Sequence, residues 1–131
     1  MTTSILIIDD DADYRASLRA LLEGEGYDVL EAESGAAGLA LATTHTPNLI
    51  VLDVMMGYLS EGYSIIQALR CSSECAAAHD IPVIMASTIE ADPTTLYSWV
   101  ADTRAITPDE YMVKPLDIPK FLAAVRRLLR H

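Results

Sequence analysis

The sequence predicts an α/β protein with a doubly wound, five-stranded parallel sheet. Short apolar runs recur along the 131 residues, helical patterns separate them, and a charged or polar residue follows almost every run. Continuous apolar runs are typical of parallel strands that are covered on both faces. The length suits one domain around one core, since domains commonly hold about 100–150 residues.

Four of the runs have the length and the β-branched content of buried strands. They are Ile5–Ile8, Leu49–Leu52, Val83–Ala86 and Tyr111–Val113. Tyr27–Leu30 alternates polar and apolar residues instead, as a strand nearer the edge of a sheet would. The sequence therefore predicts five strands.

Helical patterns follow the first two strands. Leu18 and Leu22 repeat at helical spacing, and Gly24 then ends the first predicted helix. Ser34 has the side chain of an N-cap for the second helix, which stops before Pro47.

Three more helices are predicted, one after each of the remaining strands. The chain thus repeats a strand–helix unit five times. The third is predicted from about Glu61 to about Ala77, and the fourth lies around Trp99. The last begins after Asp117, which suits an N-cap. Parallel strands with helical crossovers form a sheet that binds ligands outside the carboxyl ends of its strands.

Reactive side chains follow the strands at that predicted edge. Asp9 and Asp10 follow the first strand, Asp53 the third, Ser87 the fourth and Lys114 the fifth. Carboxylates that share a crevice repel one another unless a cation lies among them. Oxygen ligands favour Mg²⁺, and a carboxylate beside Mg²⁺ and a lysine is suited to phosphoryl transfer.

The charge balance and the cysteines restrict the class of protein. Nine Lys and Arg against 19 Asp and Glu give a net charge of −10, which disfavours nucleic acid and anionic membranes as partners. Cys71 and Cys75 form no disulfide framework and no zinc-ligand pattern. Because the sequence also lacks a leader and an apolar run of about 18 residues, we expect a cytoplasmic protein.

The motifs taken together resemble the receiver domain of two-component response regulators. They are Ile5–Asp11, Leu49–Met56, Pro82–Ser87 and Tyr111–Pro115, and the resemblance extends from Ser4 to Leu129. It implies a flavodoxin-like (βα)5 fold with the strand order 2-1-3-4-5.

The resemblance also implies a role for each acidic residue. Asp53 would be the phospho-acceptor, in a protein that is not an enzyme but assists its own phosphorylation and dephosphorylation. Asp9, Asp10, Asp53 and the backbone carbonyl of Met55 would hold Mg²⁺.

Three further residues would contact the phosphoryl group or move in response to it. Lys114 would contact it, Ser87 would be the switch hydroxyl, and Tyr111 would be the switch aromatic. The change would reach the face formed by the fourth helix, the fifth strand and the fifth helix. The sequence departs from the family pattern at Gly57, at Thr88 and in a longer region around the fourth helix.

The partners follow from the same resemblance. The phosphoryl donor would be a histidine kinase or a histidine phosphotransfer protein. Residues 1–131 would form a single receiver domain without an output domain, acting on a separate output protein and making no direct contact with nucleic acid or membrane. Homodimerisation through the face of the fourth helix, fifth strand and fifth helix is a further expectation.

Two alternatives come from other classes of protein. One is a receiver-like interaction module that acts without phosphorylation, and the other is a phosphohydrolase of the haloacid dehalogenase type. For Asp11 and Asp13 we predict only a solvated helix start, favoured by the helix dipole. Glu31, after the second strand, adds little to the predicted site.

Overall fold

Strands and helices alternate from β1 to β4 in the described part of the chain, as predicted. A computed structural model describes residues 3–54, 65–70, 73–87, 109–113 and 116–129. Residues 65–70 are helical. The other elements, in chain order, are β1 (Ser4–Ile8), α1 (Ala12–Gly24), β2 (Asp28–Ala32), α2 (Gly35–His45), β3 (Leu49–Val54), a 3₁₀ helix (Ser73–Ala78), β4 (Val83–Ser87), β5 (Glu110–Val113) and the C-terminal helix (Ile118–Leu129).

The five strands form one sheet in the order β2-β1-β3-β4-β5, and every neighbouring pair is parallel. This confirms the predicted fold class and strand order. β1 and β3 lie inside the sheet, and β2 lies at one edge, as its alternating pattern predicted. The carboxyl ends of all five strands therefore meet at one edge of the sheet.

Two apolar clusters cover the two faces of the sheet. Alternate residues of a strand belong to different clusters: Leu6 and Ile8 lie in one, and Ile5 and Ile7 in the other. The first cluster also includes residues of α2 and of 65–70, and the second includes residues of α1 and the C-terminal helix. Burial on both faces explains the continuous apolar runs of β1, β3 and β4.

The helix termini follow the predicted capping residues. The Ser34 hydroxyl accepts a hydrogen bond from the N–H of Ala37 at 3.2 Å, and Asp117 Oδ1 accepts one from the N–H of Lys120, also at 3.2 Å. After α1 the chain turns through Gly26, whose φ of +93° favours glycine. Within the described part of the chain, no helix is both long and apolar enough to span a bilayer.

The third predicted helix is wrong in its second half. An α-helix was expected to continue to about Ala77, but Ser73–Ala78 forms a 3₁₀ helix. Arg70 supplies a physical reason, because its Nη1 donates to the carbonyls of His79 at 3.0 Å and Ile81 at 2.9 Å. The chain must turn back towards this guanidinium. The fourth predicted helix, around Trp99, lies outside the described residues.

Arg70 also fixes the amino-terminal edge of the sheet. Its Nη2 donates to Asp109 Oδ2 at 2.7 Å, and the same oxygen accepts a hydrogen bond from the N–H of Val83 at 2.8 Å. The N–H of Asp109 in turn donates to the carbonyl of Val83 at 2.9 Å. One ion pair thus joins the 65–70 helix to the starts of β4 and β5.

Replacing Gly38 by Ala should destabilise the fold, because a Cβ there would lie 2.7 Å from Cγ1 of buried Ile8. Overpacking costs about 1–3 kcal/mol, and the gain in helix propensity returns about 1 kcal/mol. We expect the free energy of unfolding in urea to fall by about 1 kcal/mol. Gly24→Ala is the matched control, because nothing lies within 4 Å of a Cβ there. Equal or greater stability of Gly38→Ala would contradict this account of the packing.

Candidate functional site

The first acidic residue of the predicted site is buried at the end of β1. The N–H of Asp9 donates to the carbonyl of Ala32 at 3.0 Å and so continues the β1–β2 ladder by one bond. Asp9 is only 2% exposed. Its Oδ1 accepts a hydrogen bond from the N–H of Asp11 at 2.8 Å, which orients the carboxylate.

The next residues turn the chain directly into α1. Asp10 is exposed, and Asp11 is the N-cap of the helix. Asp11 Oδ1 accepts hydrogen bonds from the N–H groups of Asp13 at 3.0 Å and Tyr14 at 3.2 Å. Asp11 and Asp13 therefore belong to the helix start, as predicted, and Asp10 lies between two oriented carboxylates.

The strand register places Asp53 beside Asp9. Ile8 of β1 pairs with Leu52 of β3, so the next residue along each chain, Asp9 or Asp53, lies at the same level. Neighbouring strands are about 4.8 Å apart. The sheet thus brings together two residues that are distant in sequence. The side chain of Asp53 lies outside the described part of the structure.

The register also places Ser87 near this edge. Ser87 is the last residue of β4, and its backbone pairs with Val54 on one side and Val113 on the other. Lys114 follows Val113 in the sequence, at the end of β5. Lys114 and Met55 lie outside the described residues, as do Gly57, Thr88 and the side chain of Ser87.

Tyr111 lies in β5 and is partly buried. It pairs with Met85 in the sheet and packs against the cluster that contains Leu6 and Ile8. Its predicted role as a switch aromatic remains a prediction.

A charged cluster beside Asp9 was not predicted from the sequence. Nη1 of Arg15 donates a hydrogen bond to the main-chain carbonyl of Asp9, and Nε bonds Glu31 Oε1 at 3.1 Å. The other oxygen of Glu31 lies 2.6 Å from Nη1 of Arg19, and Nε of Arg19 donates to Glu23 Oε2 at 3.3 Å. Arg15 and Arg19 are four residues apart on α1, and this spacing could have indicated one charged face.

These arginines stabilise the ionised form of Glu31. The hydrogen bond from Arg19 is the largest cause that lowers the pKa of Glu31, the hydrogen bond from Arg15 adds to it, and partial burial opposes both. The contact with Glu31 also raises the pKa of Arg19. Both shifts favour the charged forms of Glu31 and Arg19.

The candidate metal ligands that the structure describes at this edge are carboxylate oxygens. A buried, oriented carboxylate at Asp9 and an exposed one at Asp10 fit a hard divalent cation such as Mg²⁺. Among the described side chains, no three His, Cys, Asp or Glu residues form a metal-ligand group. The fit therefore depends on the acidic pair and on the strand position of Asp53.

Comparison with protein families identifies the family of this chain. Residues 5–126 match the model of the response regulator receiver domain. This chain belongs to that family. The general function of a receiver domain is that of a phosphorylation switch, which takes its phosphoryl group from a histidine kinase and generally binds Mg²⁺ at the phosphorylation site. The family resemblance is thereby confirmed.

Curated relatives of this receiver domain are transcriptional regulators. The "DNA-binding dual master transcriptional regulator RpaA" of Synechocystis is 39% identical over 126 residues, which cover 96% of this chain and 48% of that protein. The transcriptional regulatory protein PrrA of Mycobacterium tuberculosis is 37% identical over 126 residues, which cover 96% and 49%. The chain thus spans about half the length of these curated relatives.

Solved structures agree with the assignment. The chemotaxis protein CheY4 of Vibrio cholerae is 25% identical, with a TM-score of 0.77 over 98% of this chain and 99% of that one. A response regulator of Burkholderia multivorans is 34% identical, with a TM-score of 0.68 over 98% and 95%.

Replacing Glu31 by Gln should remove a pH-dependent part of the stability. Because folding lowers the pKa of Glu31 below its ordinary value of 4.5, its stabilisation is complete above that pH and is lost as the pH falls through the folded-state pKa. We expect a loss of about 1 kcal/mol at pH 7, typical of a partly exposed ion pair, and a smaller difference near pH 3. Urea unfolding of both proteins at the two pH values measures it.

Glu33→Gln is the matched control for this measurement, because Glu33 is exposed two residues further along the chain. Its effect should be smaller at both pH values. A Glu31→Gln penalty that is the same at pH 7 and pH 3 would contradict the assignment of the pH dependence to Glu31.

Proposed function

We propose that this receiver domain accepts a phosphoryl group on Asp53 from a histidine kinase or a histidine phosphotransfer protein. Phosphorylation then changes the surface that the domain presents to an output protein. The observation that carries the proposal is the register that sets Asp53 level with the buried Asp9. A phospho-acceptor needs a cation site beside it, and the acidic pair after β1 supplies the ligands.

Asp9, Asp10, Asp53 and the backbone carbonyl of Met55 would hold Mg²⁺. Two carboxylates about 4 Å apart repel by about 4 kcal/mol at an effective dielectric constant near 20, so a shared cation is strongly favoured. The hydrogen bond from Asp11 to Asp9 supports this, because it orients one ligand in advance. When bound, Mg²⁺ would neutralise charge on the oxygens of the transferring phosphoryl group.

The transfer itself requires little of the protein. A carboxylate oxygen of Asp53 would form a bond to phosphorus while the bond from phosphorus to the donor's histidine nitrogen breaks. Asp53 needs no general base, because a carboxylate is already ionised at neutral pH. Lys114, directly after β5, would pair with another phosphoryl oxygen and limit the repulsion between the reactants.

The switch would use the charge that phosphorylation adds, about −1.5 to −2 if the value for other phosphorylated side chains holds. Ser87 would turn towards the phosphoryl group and donate a hydrogen bond, and partly buried Tyr111 would follow. A charged hydrogen bond contributes about 1.5–3 kcal/mol, whereas a shift from 1:99 to 99:1 requires about 5.5 kcal/mol. Ser87 alone would therefore shift the population only in part.

The output would be a protein–protein contact of the face formed by the region around Trp99, β5 and the C-terminal helix. This face would bind an output protein or a second copy of the chain. The net charge of −10 supports a protein rather than nucleic acid as the direct contact of these 131 residues. The cysteine usage, which lacks a disulfide framework, supports a cytoplasmic location.

Phosphorylation of Asp53 can be tested by intact mass spectrometry. After incubation with Mg²⁺ and a small acyl-phosphate donor, the wild-type chain should gain the mass of one phosphoryl group. Removal of Mg²⁺ by a chelator should abolish the gain, and so should Asp53→Asn, which replaces the nucleophilic carboxylate by an amide. Full labelling of Asp53→Asn would contradict the assignment of the acceptor.

A second donor distinguishes the alternative function. A phosphorylated histidine phosphotransfer protein should label the wild-type chain even if Thr88 slows the reaction with the small donor. Failure with both donors would favour the interaction module that acts without phosphorylation.

Asp10→Asn should weaken Mg²⁺ binding because it removes an exposed ligand of the proposed site. We expect a loss of at least about tenfold in affinity, since the loss of an outer-sphere partner alone costs about 10–100-fold. Calorimetric titration of the unphosphorylated protein measures the affinity. Asp13→Asn is the matched control, because it removes the same charge from an exposed residue in the first turn of α1. Equal losses in both variants would indicate a general charge effect instead of ligation.

A further inference from the structure

We propose that Arg15 is a positioning residue for the magnesium site and acts through the main-chain carbonyl of Asp9. Glu31 holds the guanidinium in place for this contact. The inference rests on the proposed function, because it concerns the acidic pair that would bind Mg²⁺. Arg15 itself touches neither the metal ion nor the phosphoryl group in this account.

The guanidinium is well placed for the role. The side chain of Arg15 is only 14% exposed, although it lies on the helix that follows the acidic loop. Nη1 donates to the carbonyl oxygen of Asp9, and Nε donates to Glu31 Oε1 at 3.1 Å. Because the five N–H donors of a guanidinium lie in one plane, the bond to Glu31 also fixes the direction of the bond to Asp9.

The orientation of the Asp9 carbonyl affects the position of Asp10. The carbonyl lies in the same rigid peptide plane as the nitrogen of Asp10, so its orientation determines where Asp10 leaves the strand. The N–H of Asp9 is already held by Ala32 in β2. With the carbonyl held by Arg15 and the carboxylate by the N–H of Asp11, Asp9 is fixed at three points.

The neighbouring charges favour this contact over a competing one. Glu23, Arg19, Glu31 and Arg15 form a row of alternating charge whose formal sum is zero. The charge of Arg15 is therefore balanced by Glu31, and the guanidinium has less tendency to pair with the carboxylates that would bind the metal. Its hydrogen bond to the loop, and not its positive charge, is then its main effect on the site.

A purely structural role makes a different prediction. If Arg15 served only to attach α1 to β2 through Glu31, its removal would lower stability and leave the affinity for Mg²⁺ unchanged. Metal affinity measured on the folded protein therefore separates the two roles.

The test compares Arg15→Met with Arg19→Met in the full, unphosphorylated chain. Both changes remove one positive charge and one bond to Glu31 from the same helix, but only Arg15 contacts the Asp9 carbonyl among the hydrogen bonds given above. By calorimetric titration with Mg²⁺ alone, we expect Arg15→Met to bind about tenfold more weakly than wild type, the lower end of outer-sphere effects. Arg19→Met should remain within about twofold of wild type.

Amide hydrogen exchange supplies a second readout without metal. In Arg15→Met the N–H of Asp11 should exchange faster, because its acceptor on Asp9 is less well held. Arg15→Lys covers the case in which Arg15→Met does not fold. Lysine keeps the positive charge but lacks the planar guanidinium, so it cannot donate to Asp9 and Glu31 in the same geometry. A weaker affinity for Mg²⁺ than that of wild type is again expected.

Three results would overturn the inference. Wild-type affinity in folded Arg15→Met, or in folded Arg15→Lys where Arg15→Met does not fold, would leave Arg15 with a structural role alone. Equal losses in Arg15→Met and Arg19→Met would assign the effect to the bond to Glu31 that both variants lose, since removal of a positive charge by itself favours the binding of a cation. If the wild-type chain itself bound no Mg²⁺, the proposed metal site would fail together with this inference, whereas the first two results leave the proposed function intact.

Discussion

The burial of the parallel sheet on both faces is the constraint on which the rest of the structure depends. Because alternate residues of each strand enter two different apolar clusters, a shift of one residue in register would exchange the sets of side chains that face the two clusters. The register of β1 with β3 is therefore strongly specified. The same register sets Asp9 level with Asp53. The packing of apolar side chains therefore determines the relative positions of the acidic residues at the carboxyl ends of the strands.

Much of the fold could be predicted because its signals are local. Strand runs, the caps at Ser34 and Asp117, and the turn after Gly24 all depend on residues that are close in sequence, and the structure agrees with each of them. The end of the third helix could not be predicted from the sequence. Arg70 donates hydrogen bonds to carbonyls 9 and 11 residues further along the chain, and these bonds fix the path of the segment that follows the helix. Contacts at that range leave no periodic signal.

In the candidate site, too, local features could be predicted from the sequence and contacts between distant residues could not. The acidic residues could be predicted because each follows an apolar strand, and the order of the strands places them at one edge. Arg15 and Glu31 could not, because they act across the gap between α1 and β2 and one of their contacts is to a main-chain carbonyl. A carbonyl acceptor has no side-chain identity that a sequence pattern could indicate. The positions of the acidic residues are thus easier to predict from the sequence than the contacts that hold Asp9 in place.

The long crossovers between paired strands have a consequence for the order of folding. Ser4 pairs with Asp28, and Ile5 pairs with Leu49, so neither ladder can begin as a hairpin between adjacent segments. Pairings of this kind close large loops before they are stabilised, and such sheets fold slowly. Asp9 and Asp53 become neighbours only after the β1–β3 ladder has formed, and Lys114 comes later still in the chain. During synthesis, the edge that carries the proposed site would therefore be complete only when nearly the whole sheet is present.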